Sequence, residues 1–479
     1  MKLITLILIT CILTSEASLA SNLPDLGDVS QSSFSASDEA RVGSQIMREI
    51  YADPQYYDDP ELTDYLNNLG YRLVTASPEP LRSFQFFVLK DNTLNAFALP
   101  GGYIGVHTGL IEAAQNESEL AGVLAHEIAH VTQHHLARMI ENQSNGILPS
   151  LAALAIAILA AKSNPQIAGG AIAAAQATAI QKQLNFSRDN EREADRIGIQ
   201  TMTAAGFDPN AMASFFERLQ KYGRIYENNA PAYLRTHPLT TERIADMQNR
   251  VANFSNKTMS DNLTFELLRT KLRVLNQNPT AAIIAYKDAL HDQRYASLIS
   301  TQYGLSLALL LNKQFDAAET VYQQMKAMKL TSPIIDLLGA DIKQKAGDIA
   351  GSLERYRLAR ARYPNYRPYI YSYTDALITS GLNDQAVKLL NDLVRTYPDD
   401  AKLYQFQARA YAQLGKDFLR HYSQAEFYAQ SGNLTAAIEQ LQIALKTKDG
   451  DFYQTAIADA RLKQLITQNK IQEAQKNKR

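Results

Sequence analysis

AGVLAHEIAHVTQHH, residues 121–135, places four histidines and one glutamate in a run of small and apolar residues. Leu120, Val123, Leu124, Ile128 and Val131 recur at the three-and-four spacing of one helical face, so the stretch reads as a buried helix. On that helix His126 and His130 stand one turn apart. Their imidazoles project the same way and can grip one ion at roughly 2.0–2.1 Å each. Glu127 projects beside them, close enough to polarise a water on that ion. The spacing HExxH is a zinc-hydrolase signature; the competing reading is a solvated polar face on an amphipathic helix. His134 and His135 suit surface or supporting roles better than ligation, because His130 already fills the second position of the stripe.

A catalytic zinc takes three protein ligands and keeps a fourth position open. An HExxHxxGxxH enzyme would carry its third histidine ten residues after the first, but Leu136 stands there. A downstream carboxylate is therefore expected. In SRDNEREADRIG, residues 187–198, Glu191 and Asp195 are one turn apart on a helix and Glu193 faces away from them. A Glu ligand, with an Asp one turn on to support a ligand histidine, is a common arrangement around zinc. The alternative for this stretch is a charged, solvated face laced by Arg188, Arg192 and Arg196.

HEIAH followed some sixty residues later by EREAD resembles the HExxH plus ExxxD pair of the M48 zinc metallopeptidases. NAFALPGGYIGVHTGLI, residues 95–111, is similar to that family's strand and turn before the metal helix. The resemblance covers roughly the first half of the chain. It implies an α+β zincin-like metallopeptidase domain with one Zn2+ per chain, held by His126, His130 and Glu191. Glu127 would be the general base and Asp195 would support a ligand histidine. A further match, THPLTTER, implies that His237 and Arg243 help hold the tetrahedral intermediate. An alternative for His237 is occupation of the open zinc position, which would hold the enzyme off.

Upstream, FQFFVLKD and LNAFALPGGYIGV read as short strands separated by turn residues, with Gly101 and Gly102 allowing a tight reversal. A free strand edge beside the zinc would hold a substrate backbone extended, with little regard to its side chains.

The chain has 479 residues, enough for two or more cores, and its formal charge of −1 gives no electrostatic footprint for nucleic acid. MKLITLILITCILTSEASLA, residues 1–20, carries an early Lys2, an apolar run from Leu3 to Leu13 and small residues before Ser21, the pattern of a cleaved signal peptide. The run is shorter than the ~20 residues a membrane span needs. Thr10 before Cys11 argues against lipidation, and with Cys11 removed no thiolate ligand or disulfide remains. Residues 146–180 form an Ala-rich apolar hairpin broken at Ser163, Asn164 and Pro165. It reads as a buried hairpin, a lid over the cleft or a membrane contact.

From residue 262 onward the texture changes to paired amphipathic helices. Gly347, Gly381 and Gly415 are 34 residues apart, as are Pro364 and Pro398, which is the tetratricopeptide period. Four or five repeats are expected, starting near Asn278. Stacked pairs would form an all-α solenoid with an extended concave surface. Its purpose is to dock a partner or client, or else to cap the peptidase. The division is then a signal peptide at 1–20, a peptidase domain at 21–258 and a repeat domain at 262–479. Deletion after residue 260 is expected to spare cleavage of a small peptide.

An exported M48-like domain joined to such repeats resembles a group of that family in Gram-negative bacteria. The resemblance implies a periplasmic endopeptidase, peripheral to the outer membrane, that degrades unfolded or misassembled outer-membrane β-barrel proteins. It also implies chaperone assistance to their assembly and contact with the barrel-assembly machinery through the repeats. The rival is a non-catalytic tetratricopeptide scaffold. Glu127 argues against it, being the residue that a dead homologue could lose without losing metal.

Overall fold

The computed structural model describes residues 34–79, 83–142, 187–225, 232–252, 254 and 262–477. The expected signal peptide at 1–20 and the expected apolar hairpin at 146–180 lie outside the described residues. Helices α1 (Ala36–Ala52) and α2 (Pro60–Ala76) precede strands β1 (Gln85–Leu89), β2 (Ala96–Leu99) and β3 (Tyr103–His107). Then come α3 (Thr108–Ala113), α4 (Glu117–Thr132), α5 (His135–Asn142), α6 (Arg188–Ala204), α7 (Asn210–Ile225), α8 (Ala232–Thr236) and α9 (Thr241–Val251). Mostly α with one small sheet, this is the expected class, and none of the described helices is long and apolar enough to cross a membrane.

The sheet has the order β1-β3-β2, with β1 parallel and β2 antiparallel to β3. Gly101 and Gly102 make the reversal into β3 at φ 80° and 82°. A Cβ on Gly102 would come 2.2 Å from the Ser83 carbonyl oxygen, so glycine is required there for space as well as for conformation. Alternation along β1 sends Phe86 and Val88 to the core with Leu62, Leu66 and Leu69 of α2. Phe87 and Leu89 go to the opposite face, where Val42, Ile46 and Ile50 of α1 cover them.

Helix α4 is buried on every side from Glu117 to His130, which removes the solvated-face reading of the histidine stretch. Asn116 caps it by accepting from the Glu119 backbone N–H. Gly198 lets α6 lie close along α4: a Cβ there would be 3.3 Å from the His126 backbone nitrogen. That approach carries the Glu191 end of α6 to the histidines.

The repeat region comprises α10 (Leu263–Leu275), α11 (Pro279–His291), α12 (Leu298–Leu311), α13 (Phe315–Ala327), α14 (Pro333–Lys345) and α15 (Ile349–Arg362). It continues through α16 (Arg367–Thr379), α17 (Asn383–Thr396), α18 (Ala401–Gln413), α19 (Asp417–Gln430), α20 (Leu434–Ala444) and α21 (Phe452–Asn477). The described residues thus hold six helix pairs beginning at Leu263, where four or five from Asn278 were expected. Gly347, Gly381 and Gly415 make the turn inside three successive pairs, all at positive φ. Lys313, 34 residues before Gly347, makes the same left-handed turn at φ 60° without glycine; what the expected start at Asn278 leaves out is the first helix, α10. Gly432 lies between α19 and α20, at a junction of pairs, which accounts for its broken spacing.

The first repeats share the core of the site-bearing half. Phe265, Leu267, Leu268 and Leu272 of α10 belong to one buried cluster with Leu62, Leu66, Leu120 and Leu124. Lys271 reaches Asp59 and Glu61 at 2.6 Å each, and Arg269 donates to the Ala114 and Gln115 carbonyls at 2.7 Å. Deletion after residue 260 would uncover this core, so it is expected to unfold the peptidase half rather than spare it. A milder variant tests the point: Leu268→Ala should cost about 2–5 kcal/mol. Calorimetry should show both halves unfolding together at a lower temperature. A separate, unshifted transition for the site-bearing half would refute the shared core.

Candidate metal centre

Four side chains from three elements converge at the buried end of α4. His126 and His130 come from α4, Glu191 from the first turn of α6, and His237 from the residue after α8. Their ligand atoms all lie within 4.8 Å of one another. The Nε2 atoms of His126 and His130 are 3.0 Å apart. Glu191 Oε1 is 3.4 Å from His130 Nε2, and its Oε2 is 3.6 Å from His126 Nε2. His237 Nδ1 is 3.0 Å from Glu191 Oε1 and 3.3 Å from His126 Nε2. Glu127 lies beside this group, with its Oε1 3.6 Å from His237 Nε2.

The outward nitrogens of the two α4 imidazoles are engaged. His126 Nδ1 is 3.0 Å from Asp195 Oδ1, one turn along α6 from Glu191. His130 Nδ1 is 2.8 Å from His135 Nδ1, whose Nε2 is 3.1 Å from Glu193. With His126 Nδ1 at ion-pair distance from Asp195 and His130 Nδ1 bonded to His135, the Nε2 atoms of both rings are turned to the centre. Arg243 grips Asp195 with two hydrogen bonds of 2.7 and 2.8 Å, places Nη1 2.6 Å from Glu191 Oε2 and donates to the Pro238 carbonyl at 2.8 Å. Thr240 caps α9 by accepting from the Arg243 backbone N–H, which orients the guanidinium inward.

The charge balance favours a cation. Burial works against ionising Glu191, but the neighbouring His237 and the His126 hydrogen bond hold it well below the usual carboxylate range. Asp195 is also lowered: burial opposes this, and its bonds from His126 and Arg243 prevail. Burial disfavours the charged form of His126, yet Asp195 and Glu191 push it up to about 9. His130 is driven well below its ordinary value by burial and by the charge of His126. Burial raises Glu127, the direction that suits a base able to return its proton. A metal bound here would displace the proton of His126, and two imidazole nitrogens with a carboxylate then form a donor set that fits a divalent metal of the zinc type.

The predicted residues His126, Glu127, His130, Glu191, Asp195, His237 and Arg243 are thus all brought together, each at most 3% exposed. The structure puts Arg243 on the carboxylates, whereas the sequence reading had it near the reacting carbonyl. It draws His237 into the donor group itself. His135, expected in a surface or supporting role, joins His130 to Glu193 and Arg138, a link that depends on His134 turning the chain at φ 53°. One feature was missed. Tyr233 is completely buried, with its ring stacked on His237 at 4.7 Å and 25°. It stands one helical turn before His237, and that spacing is the only signal the sequence carries for it.

The model of peptidase family M48 matches residues 60–251, and a tetratricopeptide repeat model matches residues 344–410. The chain is similar to a putative beta-barrel assembly-enhancing protease of Vibrio cholerae, at 35% identity over 93% of this chain and 92% of the relative. The beta-barrel assembly-enhancing protease of Escherichia coli is 32% identical over 94% of this chain and 92% of its own length. The mitochondrial metalloendopeptidase OMA1 of Schizosaccharomyces pombe is 31% identical over 44% of this chain and 60% of its own.

Proposed function

We propose, from the premise that this chain belongs to peptidase family M48 in the group of the beta-barrel assembly-enhancing proteases, that it is a zinc endopeptidase of the periplasm acting on unfolded or misassembled outer-membrane β-barrel proteins. The observation that carries this reading is the convergence of His126, His130 and Glu191 beside the buried carboxyl of Glu127. Those three residues would hold the metal. Zinc in such a set supplies Lewis acidity, polarising a carbonyl and bringing the ionisation of water near neutral pH. Glu127 accepts the proton of the attacking water as the C–O bond forms, then delivers it to the amide nitrogen as the C–N bond breaks. Asp195 and His135 hold His126 and His130 in orientation. Arg243 offsets the charge of the two carboxylates of α6.

Strand β2 bonds to β3 on one side and forms the edge of the sheet among the described residues. Its outer edge would take an extended, unfolded segment by main-chain pairing. The names of the relatives, together with the leader-like residues 1–20, support periplasmic placement and outer-membrane clients. The repeats beyond the shared core would dock the barrel-assembly machinery or the clients. Dialysis against a chelator should abolish cleavage of an unfolded β-barrel protein, and added zinc should restore it. Undiminished cleavage by metal-free protein would overturn the reading.

The position of His237 Nδ1, close to both Glu191 and His126, favours a second reading in which this ring is a resting ligand. His237→Ala should then cleave an unfolded client faster than wild type. A loss of about 10²–10³-fold would instead make His237 the donor to the oxyanion.

A further inference from the structure

Tyr233 carries a feature that packing does not explain. Its side chain is fully buried between Phe216, at 5.8 Å between ring centroids, and His237. A phenylalanine would fill that space equally well. Glu127 Oε1 lies 3.6 Å from Nε2 of the imidazole on which Tyr233 stacks, and neither that oxygen nor the Tyr233 hydroxyl makes a completed hydrogen bond among the described residues. An unpaired buried hydroxyl costs free energy, and removing it would relieve the cost. The backbone holds the residue firmly: the Tyr233 N–H donates to the Leu94 carbonyl just ahead of β2, and its own carbonyl accepts from the His237 N–H. Tyr233 is therefore held beside the His237 and Glu127 pair by a helix tied to the residues just ahead of β2.

We propose that Tyr233 is a positioning residue for the peptidase reaction, its hydroxyl donating to the Glu127 carboxylate during turnover and fixing the oxygen that receives the proton from water. The assignment rests on Glu127 being the general base. A carboxylate in a dry pocket can rotate about its last torsion, and a single neutral donor selects one orientation without neutralising the base. The same ring, stacked on His237, keeps the base and that imidazole in one rigid unit.

The test uses the full-length zinc-loaded protein and the variants Tyr233→Phe and Glu127→Gln, with an unfolded outer-membrane β-barrel protein as substrate. Tyr233→Phe should lower kcat by about 10-fold with KM within about twofold, since the lost interaction acts in the transition state. Metal content should match wild type. In the background of Glu127→Gln, the same substitution should cause no further loss, because the group it positions is gone. Wild-type kcat in Tyr233→Phe, with a raised melting temperature, would overturn the proposal and leave Tyr233 a core filler. If Glu127→Gln alone cleaves at the wild-type rate, the general-base reading fails first and the role of Tyr233 falls with it. The two failures are thus distinguishable. Tyr233→Leu, which lacks both ring and hydroxyl, should lose at least as much kcat as Tyr233→Phe; a loss confined to Tyr233→Leu, with Tyr233→Phe at the wild-type rate, would place the defect in the ring and overturn the hydroxyl's role.

Discussion

Glu127→Gln should reduce kcat on an unfolded β-barrel protein by about 10²–10⁴-fold while metal content and melting temperature hold. The substitution is isosteric and removes only the ability to accept a proton. Glu127 is absent from the group whose ligand atoms converge on one point, so the metal should remain. Turnover and zinc stoichiometry measured on the same preparation decide the matter. Unchanged cleavage with zinc retained would move the base elsewhere.

Arg243→Met should destabilise the protein by about 3–5 kcal/mol, the cost of leaving a buried ion pair without one partner. Arg243 is 3% exposed and faces two carboxylates that are each 1% exposed, so solvent cannot take its place. The loss should appear as a lower melting temperature together with weaker zinc retention, since Asp195 would no longer be held against His126. Combining it with Asp195→Asn should recover part of the loss, because one of the stranded charges is removed. A melting temperature and zinc content equal to wild type would show that the guanidinium does not hold the site together.

Much of the candidate site was legible because its parts are local. The pair His126 and His130, and the pair Glu191 and Asp195, each lie one turn apart, and a helix puts such pairs on one face whatever surrounds it. The strand FQFFVLKD was legible as an apolar run, but that Phe86 and Val88 face one core and Phe87 and Leu89 another was not, because all four are apolar. The 34-residue period was legible where glycine marks the left-handed turn, and the start was placed one helix late, at Asn278, because no glycine stands between α10 and α11.

Spacing along the chain therefore determined the helix that presents two imidazoles, the strand pattern beside it and the 34-residue period of the later half. Tertiary structure alone decided that α6 meets α4 at Gly198, that Arg243 closes on Glu191 and Asp195, and that His237 and Tyr233 arrive together beside the base. It also decided that α10 belongs to the same core as α2 and α4. The physical reason is that periodicity follows from the geometry of one element. The pairing of a buried charge or an apolar face depends on the element packed against it, however far away in the chain that element lies.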